Sequence, residues 1–193
     1  MSWESAILGF KSYLTIERSL SANSVDAYIL DVKKLADFAK EKEKTELQIE
    51  RSDLSEFISN ISKSGVAARS QSRIISGIKA FYKYLIMEDY ITANPTELLE
   101  SPKIGMKLPD TLSIKEIDKL IAAIDLSKAE GERNRAMLEI LYSCGLRVTE
   151  LITLKLSNVS FVEGFIKVVG KGNKERLAPI GNTALKYLNI YIN

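Results

Sequence analysis

The chain has 193 residues, 46% of them hydrophobic, with 27 Lys and Arg against 25 Asp and Glu, a net charge of +2. That length fits one large or two small domains, and no apolar run is long enough to cross a bilayer. There is no histidine and only one cysteine, which excludes histidine-based catalysis, histidine- or thiolate-ligated metal sites and an internal disulfide, and suits a reducing cytoplasm.

The N-terminus lacks a secretory pattern. Residues 2–18 place Trp3, Ile7, Phe10, Tyr13 and Leu14 at helical spacing. A break at residues 20–24 supplies capping residues, and a second helix follows with Val25, Tyr28, Ile29, Val32, Leu35, Ala36 and Ala39 on one face. Residues 40–44 read as a solvated connector. Ser52 or Asp53 is expected to cap a third helix over 54–63, which ends at Ser64 and Gly65.

A fourth helix, over 67–87, is the most informative. Between Phe57 and Met87 there is no Asp or Glu. With about 100° of rotation per residue, Ile74, Ile78, Phe81, Tyr82 and Leu85 gather on one side and Arg69, Arg73, Lys79 and Lys83 on the other. Either this is a solvated face, or the helix packs on its domain and lays an all-positive stripe along nucleic-acid phosphates.

Pro95, Pro102 and Pro109 then favour extended chain, and a linker is placed at 101–110, after a helical domain at 1–100 of four or five short-looped helices. A second domain opens at Ser113-Ile114-Lys115-Glu116, a capping box, with Ile117, Leu120, Ile121 and Ile124 as its expected buried stripe. A helix over 133–143 with Met137, Leu138, Ile140 and Leu141 inward is broken by Gly145 and restarts over 148–154. The period then changes to two, giving strands over 159–162, 165–169 and 176–180, with turns at Glu163-Gly164 and at Gly170-Lys171-Gly172-Asn173. A helix begins at Thr183. The open three-stranded sheet and the absence of a closing cap read as a domain continued beyond residue 193.

Two residues are candidates for chemistry. Arg147 opens a helix behind Gly145, where a guanidinium added to a helix N-terminus makes a bidentate phosphate clamp. The same spacing allows a structural ion pair with Glu150 or Glu139, and Glu150 also suits a role orienting the arginine from behind. Lys171 sits on a glycine-flanked turn that approaches a ligand closely, or is simply solvated. Lys174 and Arg176 make its surroundings positive. The turn is not a P-loop, since Gly-x-x-x-x-Gly-Lys-Ser/Thr is absent. Cys144 reads as packing, and Tyr142, Tyr187 and Tyr191 as core rather than nucleophile.

These segments closely resemble the tyrosine recombinases, or phage integrases, of the Xer type, along the whole chain. The resemblance rests on Leu20-Ser21-x-Asn23-Ser24-x-x-Ala27-Tyr28-x-x-Asp31, on Arg73-x-x-Ser76-x-x-Lys79-x-Phe81-Tyr82-x-Tyr84-Leu85, and on Asn94-Pro95, Ser101-Pro102-Lys103 and Leu108-Pro109. Most specific are Gly145-Leu146-Arg147-Val148-Thr149-Glu150-Leu151 and Gly170-Lys171-Gly172-Asn173-Lys174-Glu175-Arg176. It implies a mainly α fold with a small sheet: a four- or five-helix, SAM-like core-binding domain, then the first part of an α+β catalytic domain (111–193) with a three-stranded antiparallel sheet. It further implies site-specific recombination of double-stranded DNA, with strand cleavage and rejoining through a 3′-phosphotyrosyl intermediate and without cofactor, metal or ATP. Recombinase tetramers, homomeric or heteromeric, would act on a DNA site in chromosome dimer resolution or mobile-element integration, away from any membrane. Arg147 matches the first catalytic arginine and Lys171 the catalytic lysine. Arg69, Arg73, Lys79, Lys83, Lys174 and Arg176 are expected at DNA, with Glu150 behind the catalytic residues. The family's His-x-x-Arg pair, its last His or Trp and its nucleophilic tyrosine are not matched within the 193 residues, so this stretch is expected to bind DNA without cleaving it. A non-catalytic DNA-binding accessory protein on the same domains is the alternative. A helical protein-interaction module is a third reading, one that predicts no salt-dependent DNA binding.

Overall fold

Ser2 starts the first helix by accepting the Ser5 backbone N–H at 3.3 Å. The computed structural model describes residues 2–105, 108–128, 130–170, 172 and 174–193. The chain separates into two compact units, Met1–Lys107 and Leu108–Asn193.

In the first unit, α1 (Trp3–Ser12) buries Trp3, Ala6 and Phe10 and runs into a π-helical turn over Tyr13–Glu17 that buries Tyr13 and Leu14. Helix α2 (Ala22–Glu41) buries Val25, Val32, Leu35, Ala36 and Ala39, together with one acid, Asp31. Helix α3 (Arg51–Lys63) starts earlier than its spacing predicts. Asp53 does not cap it from outside but lies in its first turn, reaching back to accept the Glu50 N–H at 2.9 Å and Lys44 Nζ at 2.7 Å. Helix α4 (Ala68–Met87) packs mainly on α2 and buries Ile74, Ile78, Phe81, Tyr82 and Leu85 as its periodicity predicts. Aromatic rings fill the centre: Phe10 meets Phe81 edge-on at 5.4 Å, Trp3 stacks on Phe81 at 5.9 Å, and Tyr13 lies 5.4 Å from Tyr84. Beyond α4, the Asn94 side chain accepts the N–H and hydroxyl of Thr96 at 3.0 and 2.7 Å, fixing the turn around Pro95.

The second unit opens with the expected capping box. Glu116 accepts the Ser113 N–H at 2.8 Å and the Ser113 hydroxyl faces the Glu116 N–H at 3.4 Å. Helix α5 (Ile114–Ala122) differs from its pattern, because only Ile121 is fully buried and Leu120 is exposed. The helix meets its unit mainly through α6, so a single apolar row is covered. Helix α6 (Gly131–Cys144) ends on Gly145 in the left-handed region at φ 58°, and α7 (Val148–Ile152) starts again three residues later. Strands β1 (Val159–Ser160), β2 (Phe165–Val169) and β3 (Glu175–Pro179) form an antiparallel sheet in the order β1-β2-β3. β1 stops short of Val162 because the Gly164 N–H returns to the Ser160 carbonyl and closes a turn. Helix α8 (Asn182–Ile192) packs on α6, and Ile140, Leu151, Ile166, Val168, Ala178 and Leu188 form the core. Tyr142 and Tyr191 are about half exposed, contrary to the expectation that they are core: the contact between α6 and α8 is made by Ile140, Ala184 and Leu188, and the tyrosines flank it.

Candidate nucleic-acid interface and phosphate site

The Gly145 break sets the geometry of the candidate phosphate site. A left-handed residue turns the chain so that Arg147 becomes the N-cap of α7 instead of a further turn of α6. Glu150, one turn on, accepts the Arg147 backbone N–H at 2.8 Å through Oε2. This is half of a capping box; the other half is missing because a guanidinium has no acceptor. The same carboxylate then binds two side chains. Arg147 Nη1 donates to Oε1 at 2.9 Å and Arg176 Nη2 to Oε2 at 2.9 Å. Arg176 arrives from β3, where it lies opposite Val168.

The exposures differ in a useful way. The Glu150 side chain is 3% exposed, that of Arg176 39% and that of Arg147 70%. One buried anion thus anchors two cations that face solvent to increasing degree. The Arg147 backbone N–H holds the Glu150 carboxyl below its ordinary value, against burial and with help from the two guanidinium groups. An incoming anion meets a planar cation already oriented from behind and beside a helix start.

Gly170, at the end of β2, reaches the same carboxylate. A side chain on Gly170 would begin 3.5 Å from Glu150 Oε1, and the Gly170 N–H closes the turn on the Lys174 carbonyl at 2.8 Å. Gly172 has φ 74°. Lys171 lies outside the described residues. Lys174 is exposed, and Lys167 pairs with Glu175 at 2.9 Å across the strands. Of the two partners that spacing allowed for Arg147, Glu150 is the one used; Glu139 is taken by Arg135 at 3.1 Å. Sequence reading assigned Arg176 to DNA but missed its bond to Glu150. The one available signal was period-two alternation in β3, which puts Arg176 and Ala178 on the same side.

In the first unit Arg69 and Lys83 are exposed and Lys79 is half-buried on α4. Arg73 is different: its Nη1 donates to buried Asp31 Oδ2 at 2.6 Å. Among the described residues no group of three or more acidic, histidine or cysteine side chains is arranged to hold a metal, and no helix is long and apolar enough to cross a membrane.

Comparison with known proteins agrees with this architecture. Residues 7–89 match the model of the phage integrase N-terminal SAM-like domain, and residues 110–193 that of the phage integrase family. Tyrosine recombinase XerD of Staphylococcus haemolyticus is 40% identical over 191 residues, 98% of this chain and 65% of the relative. XerD of Staphylococcus aureus is 41% identical over 190 residues, 98% of this chain and 64% of the relative. The chain therefore spans just under two thirds of the length of these curated relatives. Among solved structures, the fold resembles a lambda integrase tetramer bound to a Holliday junction (TM-score 0.74, 18% identity, 98% of this chain and 56% of the other). It also resembles XerH site-specific recombinase bound to palindromic difH substrate (TM-score 0.70, 21% identity, 91% of this chain and 54% of the other). With consecutive family models on both units and curated relatives at this identity, the chain belongs to the phage integrase family of tyrosine recombinases.

Proposed function

We propose that this polypeptide grips double-stranded DNA and supplies part of the active site of a site-specific tyrosine recombinase. Residues 1–100 act as the core-binding domain, 101–110 as the connector and 111–193 as part of the catalytic domain. The observation that carries this reading is the Glu150 carboxylate holding Arg147 and Arg176 side by side, with Arg147 largely in solvent and Gly170 close to the same carboxylate.

Arg147 receives the scissile phosphate. Its fork matches two phosphate oxygens, and it stabilises the charge that grows as the phosphorus becomes pentacoordinate. Glu150 positions the arginine. Arg176 and Lys174 add positive charge at the site's edge, and Arg69, Arg73, Lys79 and Lys83 hold backbone phosphates along α4. Lys171 protonates the leaving 5′ oxygen. A tyrosine attacks the phosphate to give a 3′-phosphotyrosyl link, and no metal or ATP takes part. Recombinase tetramers perform the exchange on a DNA site in the cytoplasm, in chromosome dimer resolution or mobile-element integration.

Residues 1–193 themselves bind duplex DNA and do not cleave it, since the chain contains no histidine for the family's His-x-x-Arg pair. A suicide substrate that traps covalent protein–DNA product tests this. The expected result is salt-dependent binding with nothing trapped, and trapped product refutes it. In a longer form that cleaves, Arg147→Ala is expected to lose cleavage by several orders of magnitude while keeping most binding. Equal loss of both would make the arginine structural.

A further inference from the structure

Asp31 is fully buried (0% exposed) in the face of α2 that packs on α4. Arg73 reaches it from α4: Nη1 donates to Asp31 Oδ2 at 2.6 Å and to the Ala27 carbonyl at 3.3 Å. Both bonds use the same nitrogen. The Nε–Nη2 edge of this guanidinium makes no hydrogen bond among the described residues, and the side chain is 41% exposed, on the face that carries Arg69 and Lys83. Gly77, one turn further along α4, is what brings the two helices close enough. A Cβ there would stand 3.1 Å from the Asp31 Cβ.

The carboxylate is an expensive way to join two helices. Oδ1 has no partner among the described residues, and burial pushes the Asp31 carboxyl up in spite of Arg73 and Lys34. Desolvation therefore outweighs attraction, and an amide or an apolar pair would hold α2 to α4 at least as well. What a charge does here, and a neutral group does less well, is lock a guanidinium by one nitrogen.

We propose that Asp31 is a positioning residue for DNA binding: it fixes Arg73 through Nη1 and leaves the Nε–Nη2 edge preformed for one backbone phosphate. This rests on reading α4 as DNA-binding. A guanidinium edge accepts two phosphate oxygens at once, and one already immobilised loses less side-chain freedom on binding.

The test is the salt dependence of binding of the 193-residue chain to a short duplex of arbitrary sequence. Each phosphate contact contributes a slope of about 0.9 in log K against log salt. Arg73→Ala is expected to lower the slope by about one contact. Asp31→Asn is expected to lower it as well, although it removes a negative charge. A carboxylate that merely neutralised Arg73 predicts the opposite, tighter binding with an equal or steeper slope, and that result overturns the proposal. Far-UV circular dichroism checks folding. If Asp31→Asn fails to fold, Arg73→Ala and Arg73→Lys decide: an unchanged slope in the first, or full wild-type binding by the second, overturns the inference, and loss in both supports it. No salt-dependent binding by the unsubstituted chain sinks the DNA-binding reading itself. Binding that weakens with Arg69→Ala and Lys83→Ala but is indifferent to Arg73→Ala and Asp31→Asn sinks this inference alone.

Discussion

Gly77→Ala tests how tightly α2 and α4 are locked. A methyl at residue 77 would lie 3.1 Å from the Asp31 Cβ, 3.2 Å from Oδ2 and 3.6 Å from Cγ. Unstrained carbon pairs sit at about 3.5–4.0 Å, so α2 must recede by a few tenths of an ångström or Asp31 must move. Asp31 is not free to move, because Arg73 holds it and it has no exposed surface. Two effects oppose each other. Alanine in place of glycine in a helix interior is worth about 1 kcal/mol. Overpacking a close contact costs about 1–3 kcal/mol. The difference is a destabilisation of about 1 kcal/mol, with a ceiling near 2. The assay is specific to the first unit, because the chain's single tryptophan, Trp3, is buried there against Phe81. In urea unfolding followed by its fluorescence, with a slope of about 1 kcal/mol per molar for a unit of this size, the midpoint should fall by roughly 1 M. A midpoint above wild type would mean that α2 yields freely, and the account of a locked Asp31–Arg73 pair would be refuted.

Phe10→Ala should destabilise the first unit by about 3–5 kcal/mol, because Phe10 is fully buried and touches the rings of Tyr13, Phe81 and Tyr84. A loss below about 1 kcal/mol in the same fluorescence assay would show that the aromatic centre collapses around the gap. Glu150→Gln should flatten the acid limb of stability in the second unit. The native carboxyl lies below its ordinary 4.5, so its contribution is present above that value and is lost as pH falls through the depressed one. Urea midpoints measured by circular dichroism against pH should converge for wild type and variant in acid; parallel curves would argue against the assignment. Cys144 is 8% exposed and its thiol is pushed up by burial, against the Ser143 hydroxyl and Arg176. A thiol reagent at neutral pH should therefore react slowly until the second unit unfolds, and rapid labelling of the native chain would contradict that burial.

Local pattern reached far here, for a reason visible in particular elements. The buried stripe of α4, the Ser113–Glu116 capping box, the stop at Gly145 and strand β2 each carry a local signal, a side-chain period, a cap or a glycine, and each was legible in the string. Helix α5 was not: its apolar stripe implies a covered face, but α6 covers only the row at Ile121. Nor was the start of α3, where Asp53 serves the backbone from inside the first turn.

The charges show the same division. From the sequence alone came the family motifs, the positive side of α4, and Arg147 at a helix start with Glu150 one turn behind it. Only the folded chain decided which partner each arginine takes. Arg176 comes to Glu150 from 26 residues away, and Arg73 to Asp31 from 42. An ion pair between distant elements depends on helix packing and strand register, and neither is written in the spacing of the residues that form it. The helix faces follow from local periodicity; the difference between a guanidinium free in solvent and one anchored on a buried carboxylate follows from tertiary distance.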